Sequence, residues 1–187
     1  MDRRKELLIG ALKETDEEVR KSAAWALEKL QARDRLEELL KKLSTGAMLE
    51  KVRVIYALSD LRGPNIAEAL TSALKDPSDD VRAAAARALG SLGDPSTLQA
   101  LVDTLKDDNE IVVRAVVEAL SGFRDQRLLG PLVQALKHKD AGVVERALDA
   151  VSMIGDKRAE DALVHFAKNG NQRMRSIALR GLGVMDR

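Results

Sequence analysis

A repeat of 31 residues runs through this 187-residue chain and constrains its fold more than any other feature. It is anchored on an alanine–leucine pair or a close equivalent, found at Ala26-Leu27, Ala57-Leu58, Ala88-Leu89, Ala119-Leu120, Ala150-Val151 and Gly181-Leu182. Each pair follows the previous one by 31 residues, so six units account for residues 1–186. A period in this range indicates a supersecondary unit that buries its apolar face by stacking against its neighbours.

Apolar residues around each anchor predict two helices per unit. Three residues before the anchor stand Ala23, Val54, Ala85, Val116, Ala147 and Ala178, and four after it stand Leu30, Leu61, Leu92, Phe123, Ile154 and Met185. The spacing −3, 0, +1 and +4 is one face of an α-helix. An earlier column predicts the first helix of each unit and consists of Leu8, Leu39, Leu70, Leu101, Leu132 and Leu163.

Turn and capping residues recur with the same period. Gly93-Asp94-Pro95 places a glycine after one helix and a proline in the first turn of the next. The second helix of a unit is expected to begin after a side chain that caps it, and these side chains are Asp16, Ser78, Asn109, Asp140 and Asn171.

The predicted fold is all-α: a single domain, residues 1–187, forming a right-handed α-solenoid (superhelix) of six helical hairpins. The units are 1–31, 32–62, 63–93, 94–124, 125–155 and 156–186. Unit two is irregular, and its second helix is expected to start near Thr45. Gly130-Pro131 is expected to kink or delay the first helix of unit five. Gly181 and Gly183 are expected to weaken the last helix.

The segment DDVRAAAARALGSLGDPS (79–96), together with DEEVRKSAAWALEKL (16–30), resembles HEAT repeats, specifically the short HEAT-like repeats of phycobilisome (PBS) lyases. The resemblance covers essentially the whole chain and is poorest in unit two. It implies second helices on a concave face, first helices on a convex face, and interaction or scaffolding as the commonest role.

One position near the start of each second helix carries a cation in four of the six units. This position, called here the cation column, is occupied by Arg20, Lys51, Arg82, Val113, Val144 and Arg175. Because it stands at a fixed position beside the apolar columns, we interpret it as structural. Each cation is expected to reach loop acids or helix ends of adjacent units.

The variable stripe of the second helices, at positions −5, −4, −1 and +3 from the anchor, is the candidate binding surface. The only tryptophan and the only tyrosine, Trp25 and Tyr56, occupy equivalent −1 positions, and both types are enriched with arginine at binding hot spots. The alternative is that both rings pack against neighbouring helices. The candidate partner-binding residues are Trp25, Lys29, Arg53, Tyr56, Arg87, Arg114, Glu118, Arg146, Asp149 and Arg180.

Charge and composition disfavour other classes of function. The chain has 31 basic and 30 acidic residues, a net charge of +1, and acids interrupt the stripe, so no phosphate track is predicted. It has no cysteine, and neither His138 nor His165 is followed by glutamate, so no metal site is predicted. No catalytic residue or cofactor is predicted, and no apolar run suits a membrane span.

We therefore expect a cytoplasmic, non-catalytic interaction scaffold that binds a protein or peptide through the concave face. The alternative is an accessory subunit of an enzyme, such as a lyase-like chaperone for a chromophore; a HEAT-like nucleic-acid-binding protein is less favoured. The last helix lacks a polar capping helix, so its end is expected either to fray or to pair, with another copy of the chain or with another chain.

Overall fold

The structure, a computed structural model, describes residues 3–61 and 63–185, and all regular structure in these ranges is helical. Its α-helices are α1 (Arg3–Ala11), α2 (Glu17–Thr45), α3 (Met48–Ser59), α4 (Pro64–Ala73), α5 (Asp79–Leu92), α6 (Leu98–Thr104), α7 (Glu110–Ser121), α8 (Leu129–Ala135), α9 (Ala141–Ile154), α10 (Glu160–Asn169) and α11 (Gln172–Val184). Short 3-10 turns at Pro95–Thr97, Gln126–Leu128 and Lys157–Ala159 precede α6, α8 and α10.

The chain divides into two compact units, Met1–Gly46 and Ala47–Arg187, called here the N-terminal body and the C-terminal body. In the N-terminal body α1 packs against α2, and Lys5 forms an ion pair with Asp34 at 2.6 Å. Ala23 and Leu43 are the buried residues described in this body. Its core is therefore small.

The predicted boundary between units one and two is not a helix break, because α2 is one continuous helix of 29 residues. No glycine or proline lies between Glu17 and Thr45, so nothing in that stretch interrupts the backbone hydrogen bonds. Ion pairs one turn apart support it, such as Lys21–Glu17 at 2.8 Å and Lys42–Glu38 at 2.6 Å. The helix ends where the Gly46 N–H donates to Lys42 O.

The C-terminal body is a stack of hairpins built on a row of second helices. Contacts run from α3 to α5, α5 to α7, α7 to α9, and α9 to α11. Each first helix packs on the second helix that follows it, as α4 does on α5 and α10 on α11. This order of contacts is the hairpin stacking that the repeat predicts.

The predicted apolar columns form the core of this body. Leu70, Leu101, Leu132 and Leu163 are fully buried, as are Leu58, Leu89, Leu120 and Val151. The column four residues after the anchor is less buried than predicted: Leu92 is enclosed, but Leu61 is 40% exposed because it lies beyond the end of α3.

The predicted caps explain where the helices start. Asp16, Asn109, Asp140 and Asn171 each accept a hydrogen bond from a backbone N–H in the first turn of the next helix. Ser78 is at the N-cap of α5 but makes no such bond. α3 starts at Met48, later than the predicted Thr45, and its N-cap residue, Ala47, has no side chain that can cap it.

The kink or late start expected from Gly130-Pro131 is absent from the first helix of unit five. Pro131 lies in the first turn of α8, which follows a 3-10 turn just as α6 and α10 do, so unit five is regular here. α11 continues through both of its glycines to Val184.

After three of the second helices the chain reverses at a residue with a left-handed backbone conformation. Gly93 and Gly155 have φ values of 64° and 68°. Arg124 takes the equivalent place after α7 with φ 49°, a conformation that costs a residue with a Cβ about 1–2 kcal/mol.

Small residues set the spacing of the second helices. A Cβ on Gly90 of α5 would lie 2.7 Å from the Ala119 Cα of α7, and one on Gly181 of α11 would lie 2.5 Å from the Ser152 Oγ of α9. Backbones at this separation leave no room for a larger side chain. The alanine-rich composition thus permits closely packed neighbouring helices.

Candidate functional site

Ion pairs join consecutive units of the C-terminal body at the end where the two helices of each hairpin are connected. Lys51 Nζ lies 2.6 Å from Asp76 Oδ2. Arg82 donates to both carboxylate oxygens of Asp107, at 2.7 and 3.0 Å, and to the backbone carbonyls of Asp76 and Pro77. The structural interpretation of the cation column is confirmed for Lys51 and Arg82.

The electrostatics of this ladder follow from its hydrogen bonds. The Arg82 guanidinium lowers the pKa of the Asp107 carboxyl, assisted by the Asn109 backbone N–H. One unit further on, the column carries Val113, and the adjacent Arg114 instead binds Asp140 at 2.8 and 2.6 Å. Hydrogen bonds from Arg114 and from the Val143 N–H lower the pKa of Asp140 to about 2.

Positions −1 and +3 of the second helices are the exposed part of the predicted stripe. In the C-terminal body Tyr56 is 52% and Met153 50% exposed, and Arg87, Glu118 and Arg180 are also exposed. Positions −5 and −4 are mixed: Ala83, Ala84, Ala115 and Ile177 were expected in the stripe but are buried, since α5, α7 and α11 pack against neighbouring second helices. We call the exposed side of the row the second-helix face.

A groove of about 540 Å³ lies on the second-helix face across α7, α9 and α11. It brings together four of the predicted binding residues, Glu118, Arg146, Asp149 and Arg180. Its other lining residues are Ser121, Glu145, Met153, Arg173, Ser176 and Ile177. A smaller groove of about 230 Å³ shares Met153, Ile177 and Arg180 and extends to Ser152, Gly181 and Val184.

Both signs of charge line the larger groove, with three acids and three arginines. Arg173 and Glu145 neutralise each other at 3.3 Å. Glu118 and Arg180 are exposed, and neither they nor the half-buried Asp149 form an ion pair with any other described residue. Met153 and Val184, the latter 67% exposed, supply apolar surface beside them. The groove can therefore satisfy a partner that carries both charges and an apolar side chain.

Arg173 was not among the predicted site residues. It lies in the first turn of α11, before the stripe positions begin, so the helical periodicity gives no signal for it. Its pairing with Glu145 of the preceding second helix becomes visible only once α9 and α11 are known to be neighbours.

The remaining predicted residues lie outside the groove. Trp25 of the N-terminal body is 64% exposed, and the Lys29 ammonium lies 5.9 Å from the centre of its ring. Arg53, Tyr56 and Arg87 are exposed on α3 and α5. Arg114 is occupied by Asp140.

Neither a metal cluster nor a membrane-spanning helix occurs among the described residues, 3–61 and 63–185. They contain no group of three or more histidine, aspartate or glutamate side chains placed to hold a metal ion. None of their helices is long and apolar enough to cross a bilayer.

Solved structures of repeat proteins share this arrangement. A designed armadillo repeat protein in complex with the peptide (KR)4 matches with a TM-score of 0.64 and 18% identity over 96% of this chain and 98% of that chain. The complex of CpcE and CpcF of phycocyanin lyase from Nostoc sp. PCC7120 matches at 0.56 and 24%, over 96% and 76%. Human deoxyhypusine hydroxylase matches at 0.63 and 19%, over 85% and 65%. The stacked hairpins and these likenesses define an all-α solenoid protein.

The family follows from the sequence itself. The family model for HEAT repeats matches residues 37–121 and 106–183, and that for the PBS lyase HEAT-like repeat matches residues 19–45. The chain belongs to the HEAT-repeat family, as its motifs predicted. No curated protein sequence matches it significantly.

Proposed function

We propose that this chain is a non-catalytic scaffold that binds an extended segment of a protein partner along the second-helix face. The observation that carries the proposal is the groove across α7, α9 and α11, in which unpaired charges of both signs border exposed apolar surface. A row of parallel helices presents side chains at regular intervals, which suits an extended chain more than a compact small molecule.

The charged residues of the groove predict the chemistry of the partner. A cation is expected opposite Glu118 and Asp149, and a carboxylate opposite Arg180. An apolar side chain of the partner would contact Met153 and Val184. The similar designed armadillo protein was solved with the peptide (KR)4. The mixed charges of the present groove favour a partner segment that itself carries both signs.

The α3 and α5 end of the face extends the proposed surface. Arg53, Tyr56 and Arg87 supply two cations and one aromatic ring, all exposed. Arginine and tyrosine commonly dominate binding energy at protein interfaces. A specific contact requires about 800 Å² from each partner, which is more than one groove of this size supplies. We therefore propose that the partner contacts several second helices at once.

A selection experiment tests this proposal. Random-sequence peptides displayed on phage would be selected against the whole chain, and the affinities of selected peptides measured by fluorescence polarisation. The proposal predicts peptides of mixed charge whose affinity falls roughly tenfold or more when Asp149→Lys or Arg180→Glu reverses one groove charge. Lys168→Glu on α10 is the matched control, because Lys168 is exposed but lies outside the groove.

Three results would contradict the proposal. Selected peptides could bind all groove variants equally, which would place their site elsewhere. A coloured ligand that co-purifies with the chain would favour the accessory-subunit alternative. Salt-sensitive binding of an oligonucleotide, unaffected by Asp149→Lys, would favour nucleic-acid binding.

A further inference from the structure

Leu179 of α11 breaks a regular pattern of burial. Two residues before each anchor, the C-terminal body carries Ile55, Ala86, Val117 and Leu148, all fully buried. In each of these four units the second helix is followed by the second helix of the next unit, and the two pack against each other. Leu179 holds the same position in α11, the last helix described, and is 57% exposed. An apolar side chain in this column is suited to contact a further second helix.

Arg175 likewise occupies a position whose equivalents in the cation column contact the following hairpin. Lys51 and Arg82 each bind an aspartate in the loop of the following hairpin, Asp76 and Asp107 respectively.

The loop position that faces the cation column changes together with it. Where the column carries Val113, the matching loop position holds His138, and where it carries Val144, that position holds Asn169, so neither is an acid. Cation and acid therefore occur together in this body. Arg175 donates to the Ala167 carbonyl at 3.2 Å and forms no ion pair with a described residue.

A loop acid that matches Arg175 occurs at the other end of the chain. Glu14 lies in the loop between α1 and α2, at the position of unit one that Asp76 and Asp107 occupy in units three and four. If a second copy continued the repeat after α11, Glu14 of that copy would be the loop residue that follows Arg175. Glu14 is exposed. Its backbone carbonyl accepts from Arg20, while its carboxylate forms no ion pair with a described residue.

Exposed apolar surface accompanies Glu14. Leu7 of α1 is 70% exposed and corresponds to Ala100 and Pro131 of the later first helices. Ala100 lines a groove with Thr71 and Leu74 of the preceding unit, and Pro131 lines one with Val102 and Leu105. The Leu7 position is therefore one that lines a groove shared with the preceding hairpin in the later units.

We infer that two copies of this chain associate head to tail, with α1, the Glu14 loop and the start of α2 of one copy docking on α11 of the next. Glu14 pairs with Arg175 as Asp107 pairs with Arg82, and Leu179 contacts the second copy as its four equivalents contact the next hairpin. Such a contact joins two different surfaces, so it leaves one surface of each kind open and permits longer assemblies. Arg20 is the exception in the column: its loop carbonyl contacts match those of Arg82, but the matching loop position after it holds Thr45.

Sedimentation velocity over a wide range of protein concentrations tests this inference. The wild-type chain is expected to form larger species as its concentration rises. Arg175→Glu and Glu14→Arg should each weaken association roughly tenfold or more, and the double variant should restore most of it, since the pair is then reversed. Lys75→Glu is the control, because it makes a comparable change of charge at an exposed loop position.

Two substitutions of exposed apolar residues distinguish a loss of association from a loss of folding. Leu179→Ser is expected to weaken association while leaving the helical circular dichroism and the thermal midpoint unchanged. Ile111→Ser on α7, where the side chain is similarly exposed at 55%, should change neither. A wild-type chain that stays monomeric at all concentrations would overturn the inference. So would association that is insensitive to Arg175→Glu and Leu179→Ser, or a charge-reversed double variant that fails to recover.

Discussion

Arg82 and Asp107 form a two-pronged ion pair that joins the second helix of one unit to the loop of the next, with N–O distances of 2.7 and 3.0 Å. Both side chains are largely buried, at 18% and 11% exposed. The same guanidinium also satisfies two carbonyls of its own loop. One side chain therefore fixes both its own hairpin and the position of its neighbour.

Removal of this arginine should destabilise the stack. Arg82→Ala is expected to lower the free energy of unfolding by about 1–3 kcal/mol, because Asp107 then remains largely buried without its counterion. Urea denaturation followed by circular dichroism measures the change. Arg127→Ala is the control: its pair with Asp125 is 74% exposed at the arginine, so little or no loss of stability is expected. Equal losses in the two variants would contradict the prediction.

Acid should weaken the contact between Arg114 and Asp140. The folded pKa of Asp140, about 2, lies below its ordinary value of 3.8, so its ionised form is favoured in the folded state. This stabilisation is present above pH 3.8 and is lost as pH falls toward about 2. In thermal unfolding scans across this window, Asp140→Asn should show a smaller decrease in Tm than wild type. Asparagine still caps α9, which keeps the helix start intact. Parallel decreases in the two proteins would assign the acid sensitivity to other groups.

Gly90→Ala should force α5 and α7 apart. The new Cβ would lie 2.7 Å from the Ala119 Cα, a backbone atom that cannot rotate away. A loss of about 1–3 kcal/mol in the free energy of unfolding is expected. Gly183→Ala is the matched control, since a Cβ there meets nothing within 4 Å. That change should be neutral or stabilising by up to about 1 kcal/mol. Chemical denaturation that gives the same result for both variants would contradict the importance of the close approach of α5 and α7.

Arg124→Gly should stabilise the chain. Arg124 has a φ of 49° where the equivalent residues are Gly93 and Gly155, and glycine adopts this conformation without a steric cost. The expected gain is about 1 kcal/mol, reduced by the extra freedom of glycine in the unfolded chain. Arg124→Ala separates the conformational effect from loss of the side chain, because alanine keeps a Cβ. A gain of equal size with alanine would exclude the proposed cause.

Trp25 fluorescence should report an exposed ring. It is the sole tryptophan and 64% exposed, so its emission should be red-shifted and readily quenched by acrylamide. Binding of a partner at Trp25 should shift the emission to shorter wavelength and reduce quenching. Free N-acetyltryptophanamide provides the fully exposed reference. Blue-shifted emission that resists quencher in the unbound chain would remove Trp25 from the candidate partner-binding residues.

Periodicity was sufficient to predict the row of second helices and the central apolar columns of residues 47–185. Leucine columns such as Leu101 and Leu132 recur every 31 residues because each occupies the same place between two packed helices. The period could not predict the continuity of α2. A helix break requires a specific backbone signal, and the stretch around Arg33 carries none although the period predicts a boundary there.

Only part of the candidate site followed from the sequence. The −1 position correctly identified Glu118, Asp149 and Arg180 as neighbours on one face, since helices in register place equivalent residues side by side. Burial at the −4 position differs between units: Ala115 is enclosed whereas Arg146 is exposed. That distinction requires the packed helices.

The length of α2 has a mechanical consequence. No residue between Ala23 and Leu43 is fully buried, so the middle of this helix is held by its own backbone hydrogen bonds, by its contacts with α1 and by surface charges such as the Lys5–Asp34 pair. Local unwinding there disrupts only the small contact with α1 and is expected to cost less than opening a second helix of the C-terminal body. The longest helix described is thus expected to bend or open more readily than the second helices of the C-terminal body.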